Sequence, residues 1–233
     1  MAKPVCTVVG VGPGNGAAIA RRFARANYAV AMLARSSGLL TALEAELPEA
    51  RGFVCDVSDA ASIATAFADI RASMGQVDTL IYNAGPGIWG SIEELSPAAF
   101  EETWRVNAFG TFLAAREVIP AMKAAGRGNI LIVSATAARR GKARTAAFAP
   151  AKAAQRSLAE AMAKQLWPAG IHVALVIIDG VVDLPATRKM MPDKPDDFFV
   201  KPDEVAATLH WLSGQPRSAW AFEVEARPFG EVW

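Results

Sequence analysis

Gly10-Val11-Gly12-Pro13-Gly14-Asn15-Gly16 follows the apolar run 5–9 and leads straight into Ala17, Ala18 and Ile19. A strand that empties into spaced glycines and then a helix has the outline of a phosphate cradle. Glycine permits positive φ and close backbone approach, and the N–H groups of the new helix face negative charge. Glycine-rich turns also occur as plain connections, so the rest of the chain must be read with this one. Working outward, β-rich runs at 5–9, 29–33, 52–55, 79–82, 129–133 and 172–178 alternate with Ala-rich stretches of helical period at 16–27, 39–46, 60–73, 97–124, 148–167 and 202–213. A last strand is expected at 220–226. Strands separated by helices need crossover connections, and these strands lack polar alternation. The pattern predicts an α/β, doubly wound, mostly parallel sheet with helices on both faces.

A length of 233 residues with 52% apolar composition suits one core, so residues 1–233 are read as a single domain. The segment 179–201 breaks the rhythm: it is rich in Pro, Asp, Lys and Met and longer than an ordinary strand-to-helix connection, as a substrate lid would be. With 24 basic against 23 acidic residues, no global field draws the chain to nucleic acid or an anionic membrane, which leaves a small molecule as the expected partner. Cys6 and Cys55 lie in short apolar runs and read as buried free thiols, fitting a reducing cytoplasm. No apolar stretch has signal-peptide or membrane-spanning length. His172 and His210 stand alone in a strand and a helix, without spacing for metal or triad chemistry.

Five further segments stand in order behind the glycine loop: Asp56-Val57, Asn83-Ala84-Gly85, Asn107, Ser134 and Lys152. With the spacing Gly10-x-x-x-Gly14-x-Gly16 they resemble the short-chain dehydrogenase/reductase family over nearly the whole chain. The resemblance implies a Rossmann-type fold and a nicotinamide dinucleotide cofactor. It implies that Gly10, Gly14, Asn15 and Gly16 hold the pyrophosphate and nicotinamide side. Asp56 and the Val57 N–H would meet the adenine, and Asn83, Ala84 and Gly85 would border the adenosine ribose. Val182 would reach the cofactor through its backbone. The alternative for Asp56 is a turn or cap residue before the helix at 60–73, a place Ser58 and Asp59 fill equally well, so the cofactor role is favoured. After the second strand stand Arg35, Ser36 and Ser37, with no carboxylate. A guanidinium pairs with a 2′-phosphate where a carboxylate would repel it, so NADP(H) is favoured over NAD(H).

In the family a tyrosine four residues before the lysine exchanges the proton. The i, i+4 spacing lets the ammonium depress the phenol, and the lysine also holds the nicotinamide ribose. The serine binds the substrate oxygen and the asparagine supports a relay water. Ser134, Lys152 and Asn107 stand at those places, but Phe148 stands where the tyrosine belongs. Tyr28 and Tyr82 lie elsewhere in the pattern and offer no substitute. Losing a positioned general acid costs about 10²–10⁴-fold, which leaves room for altered catalysis. Ser134, or a water held by Ser134 and Lys152, then delivers the proton to a CH–OH/C=O substrate, or the substrate is an activated C=C or C=N group that needs no phenol.

Pro150 between Phe148 and Lys152 predicts a kink that displaces the lysine unless it falls in the first helical turn. Asp179-Gly180 replaces the family's Pro-Gly pair, and Leu184 a threonine that meets the carboxamide. Residues 86–89, 135–145 and the lid, with Met190, Met191, Phe198 and Phe199, are the expected walls of a partly apolar pocket. Arg139, Arg140, Lys142 and Arg144 read as a solvated loop that otherwise attracts an anion. The apolar stretches 109–122 and 148–167 resemble those through which relatives form dimers or tetramers, and 220–233 is expected to pack either across a subunit boundary or within the chain. Two functions stay open: an NADP(H)-dependent oxidoreductase without the phenol, or a degenerate dinucleotide-binding sensor or assembly protein.

Overall fold

The computed structural model describes residues 2–85 and 87–230. Pro86 and Trp233, which the sequence assigns to a pocket wall and a terminal contact, lie outside the described residues. Seven strands form one parallel sheet: β1 (Val5–Val9), β2 (Ala29–Ala34), β3 (Ala50–Val54), β4 (Val77–Tyr82), β5 (Gly128–Ala135), β6 (Ile171–Ile178) and, late in the chain, β9 (Glu223–Ala226). Their order is β3-β2-β1-β4-β5-β6-β9. The order reverses direction between β1 and β4, and a doubly wound sheet opens its ligand crevice at that switch, beyond the carboxyl ends of the strands.

Alternate side chains along each strand enter opposite cores. Val5, Val9, Leu80 and Tyr82 bury on the face covered by α3 (Ala60–Met74), α5 (Gly110–Ala125) and α6 (Phe148–Leu166). Cys6, Val8 and Ile81 bury on the face covered by α1 (Asn15–Arg25), α2 (Ser37–Glu46) and α8 (Pro202–Ser213). Both cysteines are buried free thiols. Helix starts follow local chemistry: Asp59 caps α3 by accepting from the N–H groups of Ala61 and Ser62, and Ser96 caps α4 (Pro97–Trp104) with proline at its first position.

Three expectations change. The stretch 97–124 is not one helix: α4 and α5 are separated by a π turn, Arg105–Phe109. The Asn107 carbonyl accepts from Thr111 Oγ1 (2.6 Å) and Gln155 Nε2 (2.9 Å), so side chains compete with the regular ladder and widen it there. Pro150 does not kink the helix, because α6 begins at Phe148 and places the proline in the first turn, where no N–H is needed. The last strand starts at Glu223: Trp220 is held off the edge by donating to Gln215 O (3.1 Å) and stacking on His172 at 4.8 Å within the chain.

The segment 179–201 is more ordered than a loop. Its strands β7 (Val181–Val182) and β8 (Phe199–Val200) pair in parallel around α7 (Pro185–Met190). Asp183 ties it together, accepting from Arg188 Nε (2.6 Å) and Lys201 Nζ (2.7 Å), and these partners hold its carboxyl well below the usual carboxylate range. Among the described residues, no helix is long and apolar enough to cross a membrane.

Candidate functional site

The glycine loop leaves β1 at the switch point, and its conformation depends on the neighbouring strand. Gly10 has φ +88° and lies against the Ala84 backbone, where a side chain has neither room nor a favourable conformation. Asn83 locks the two loops together: its N–H donates to Val9 O (2.9 Å) and its Nδ2 to Gly10 O (2.7 Å). Gly16 is required by packing, since a Cβ there would stand 2.6 Å from Val11 Cα. Gly14 lies under the Leu184 side chain.

Two cavities open from this loop. The first, about 300 Å³, is lined by Gly10, Gly12, Arg35, Asp56, Val57 and Ala84 among others. The second, about 400 Å³, lies beyond β5 and β6 and is lined among others by Asn15, Ser134, Phe148, Lys152, Asp179 and Val182. Asn83 and Gly85 line both cavities, which therefore adjoin. Ser36 stands outside both lining sets, at the N-cap of α2. Asp56 is not the cap of α3; its Oδ1 accepts from the Ser58 N–H (2.9 Å) and Oγ (2.7 Å), and those bonds lower its pKa.

The second cavity gathers unsatisfied polar groups. Ser134 Oγ and Asn15 Oδ1 are buried without a hydrogen-bond partner among the described residues. Asn107, behind Gly85, is in the same state: its Nδ2 donates to Thr103 O (2.8 Å) while Oδ1 has no partner. A Cβ on Gly85 would fall 2.6 Å from that Oδ1 and 3.0 Å from Lys152 Nζ, so only glycine lets the asparagine and lysine converge. Buried polar atoms are normally paired, and orphans that converge at a cavity mark a place for a polar ligand. The π turn brings Asn107 to this position.

Lys152 is 4% exposed, with its ammonium donating to Gln155 Oε1 (3.0 Å) and Val133 O (3.2 Å). Neither acceptor is charged, and burial pulls its pKa down to about 7. Phe148, on the same face of α6, holds its ring centroid 5.8 Å from Lys152 Nζ and 5.5 Å from the Trp89 ring. Tyr82 cannot stand in for it, since its hydroxyl donates to Val106 O (2.5 Å) and burial raises its pKa. Tyr28 lies against Phe23 on the other face of the sheet.

Gln155 and Asp179 were not singled out as site residues in the sequence. Gln155 is three residues beyond Lys152 and so shares its helical face, a signal the spacing offered. Asp179 follows β6, is 7% exposed and accepts from Thr136 and Arg227. His172 and His210 lie outside the lining of either cavity, in a strand and a helix as expected.

Comparison with known proteins follows the same lines. Residues 4–195 match the family described as short chain dehydrogenase. The D-threitol dehydrogenase of Mycolicibacterium smegmatis is 30% identical over 90% of this chain and 85% of its own. The 2-dehydro-3-deoxy-L-rhamnonate dehydrogenase (NAD(+)) of a Sphingomonas species is 31% identical over 71% of this chain and 68% of its own. Among solved structures, a metagenomic short-chain oxidoreductase in complex with NADP is 30% identical and superposes with a TM-score of 0.85, covering 99% of each chain.

Proposed function

Because the chain belongs to the short-chain dehydrogenase family, we propose that it is an NADP(H)-dependent oxidoreductase in which Lys152, and not a phenol, governs the proton. The observation that carries this reading is the buried Lys152 ammonium, opening into the same cavity as the unpartnered Ser134 hydroxyl. The dinucleotide fits the paired cavities: the glycine loop, Asp56, Val57, Ala84 and Arg35 would hold the adenosine half, and Asn15, Asn83, Gly85, Lys152 and Val182 the nicotinamide half. Arg35, on the adenosine cavity with no acidic neighbour in sequence, supports a 2′-phosphate. Ser36 at the α2 N-cap is the nearest hydroxyl to assist it in sequence. Bound there, the nicotinamide supplies or accepts a hydride.

The protein's own part is positioning and proton delivery. Ser134 Oγ donates to the oxygen, or other heteroatom, that gains charge as the substrate is reduced. An ammonium of pKa about 7 holds and releases a proton near neutrality, which suits a general acid. Asn107 Oδ1, unpartnered behind Gly85, would hold a relay water toward Lys152. The Phe148 ring offers no proton and leaves an apolar wall that suits an activated C=C or C=N group as well as a carbonyl. Segment 179–201 acts as a lid, with Val182 and Phe198 on the cavity side. An exposed aromatic row, Phe100, Trp104 and Phe112, supports a homo-oligomer built across α4 and α5.

The second reading, a dinucleotide-binding protein without turnover, rests on Phe148 itself. One experiment separates the two: NADPH consumption over ketones, activated alkenes and cyclic imines by the natural chain, Phe148→Tyr and Lys152→Ala. Turnover by the natural chain that Lys152→Ala abolishes supports the oxidoreductase. Turnover by Phe148→Tyr alone establishes the degenerate reading. Lys152→Ala matching the natural chain in both NADPH binding and turnover removes the site assignment.

A further inference from the structure

The second cavity carries a charge pattern that the proton chemistry does not use. Of the four basic residues in 139–144, two are neutralised elsewhere: Arg139 pairs with Glu223 (2.7 Å) and Glu225, and Arg144 with Glu94 (3.1 Å). Arg140 and Lys142 line the cavity. Among the described residues Lys142 has no ion pair, and Arg140 only reaches Asp179 at 4.0 Å. Asp179 is already taken, with Thr136 donating to one carboxylate oxygen and Arg227 to the other. The exposed rim of the cavity therefore carries two cations, Arg140 with 62% of its side chain accessible, that the protein leaves without a close counter-ion. Its walls are aromatic as well, with Trp89 and Phe148 tilted 40° to one another and Phe198 contributed by the lid.

We propose that this cavity takes a substrate with a carboxylate joined to a flat apolar body, the anion held by Arg140 and Lys142 and the body bounded by Trp89 and Phe148. This rests on the reading of Ser134 and Lys152 as the reacting end, while the anion-binding half stands without it. A guanidinium fork matches a carboxylate with two parallel N–H donors, and a lysine adds a point charge. Aromatic walls favour a flat ring over a bulky aliphatic body. A cationic substrate meets Arg140, Lys142 and Lys152 against one carboxylate that is already paired. A cavity of about 400 Å³ suits a single small molecule.

The probes are 4-acetylbenzoate and 4-acetylbenzamide, which share shape and ketone but differ in charge. Calorimetry measures both on the free chain and with saturating NADP⁺, for the natural protein and the Arg140→Gln/Lys142→Gln double variant, whose thermal melt controls for folding. The natural chain binds the acid about tenfold tighter than the amide, equivalent to about 1.4 kcal/mol. The double variant brings the ratio to about one, and added salt weakens only the acid. Equal binding of acid and amide, a ratio that survives the double substitution, or no binding of either overturns the proposal. NADPH consumption is followed in parallel. Preferred binding of the acid without NADPH consumption leaves the anion site standing and excludes this ketone as the reacting group, while the panel of ketones, alkenes and imines decides the oxidoreductase reading. Turnover of acid and amide alike does the reverse.

Discussion

Replacing Lys152 by methionine removes a charge from a side chain that is only 4% exposed, and the stability of the variant should depend on pH in one direction only. The folded-state pKa of about 7 lies below the ordinary value of 10.5, so the unfolded chain binds more protons between those two points. Stability of the natural chain therefore rises with pH through that window, and the penalty of burying the ammonium is complete only below about pH 7. At about 1.4 kcal/mol per pKa unit, that penalty is on the order of 5 kcal/mol. Methionine fills similar volume but leaves Gln155 Oε1 and Val133 O without their donor, which returns about 1 kcal/mol for each. Lys152→Met is thus expected to be more stable than the natural chain by about 2–3 kcal/mol at pH 6, with the advantage gone by about pH 10. Urea unfolding followed by circular dichroism, at fixed protein concentration from pH 6 to 10 without cofactor, measures the difference. A difference that stays constant across that range refutes the claim that Lys152 is buried as a depressed ammonium.

Arg35→Ala should weaken NADPH about tenfold or more while leaving NADH unchanged, as expected for loss of a charge-assisted bond to the 2′-phosphate, and titration of both dinucleotides checks it. Asp56 and Asp59 should separate cleanly. Asp59→Ala loses the α3 cap and about 1 kcal/mol of stability with dinucleotide affinity intact, whereas Asp56→Ala weakens the dinucleotide, as paired melts and titrations will show. Trp104→Glu places a charge in the exposed aromatic row and should convert a dimer or tetramer to monomer in light scattering at micromolar concentration, with the fold retained.

The sheet was legible because its strands are doubly buried and bounded by helices: 5–9 and 202–213 are read to the residue, and the other boundaries lie within a few positions. The break at Asn107 was not legible. It arises from Thr111 and Gln155 competing for one carbonyl, and Gln155 approaches from 48 residues away. The helix read at 148–167 already set Pro150 in a first turn, and the structure keeps it there without a kink. The internal order of 179–201 depends on Asp183 meeting Lys201 across 18 residues, which periodicity does not reveal. At the site, residue types pointed to Ser134, Asn107 and Lys152. The convergence of Asn107 and Lys152 depends on the small volume of Gly85, and the division of the basic run depends on Glu94, Glu223 and Glu225 from distant elements.

The most direct test of Lys152 as the governing acid is the pH dependence of NADPH consumption by the natural chain on whichever panel substrate it turns over. A reduction that needs the protonated ammonium holds kcat/KM level below about pH 7 and loses it about tenfold per unit above. Phe148→Tyr should move that fall to higher pH by supplying a second proton source. A profile that stays flat from pH 6 to 9, or the absence of NADPH consumption on every ketone, alkene and imine tried, contradicts the account.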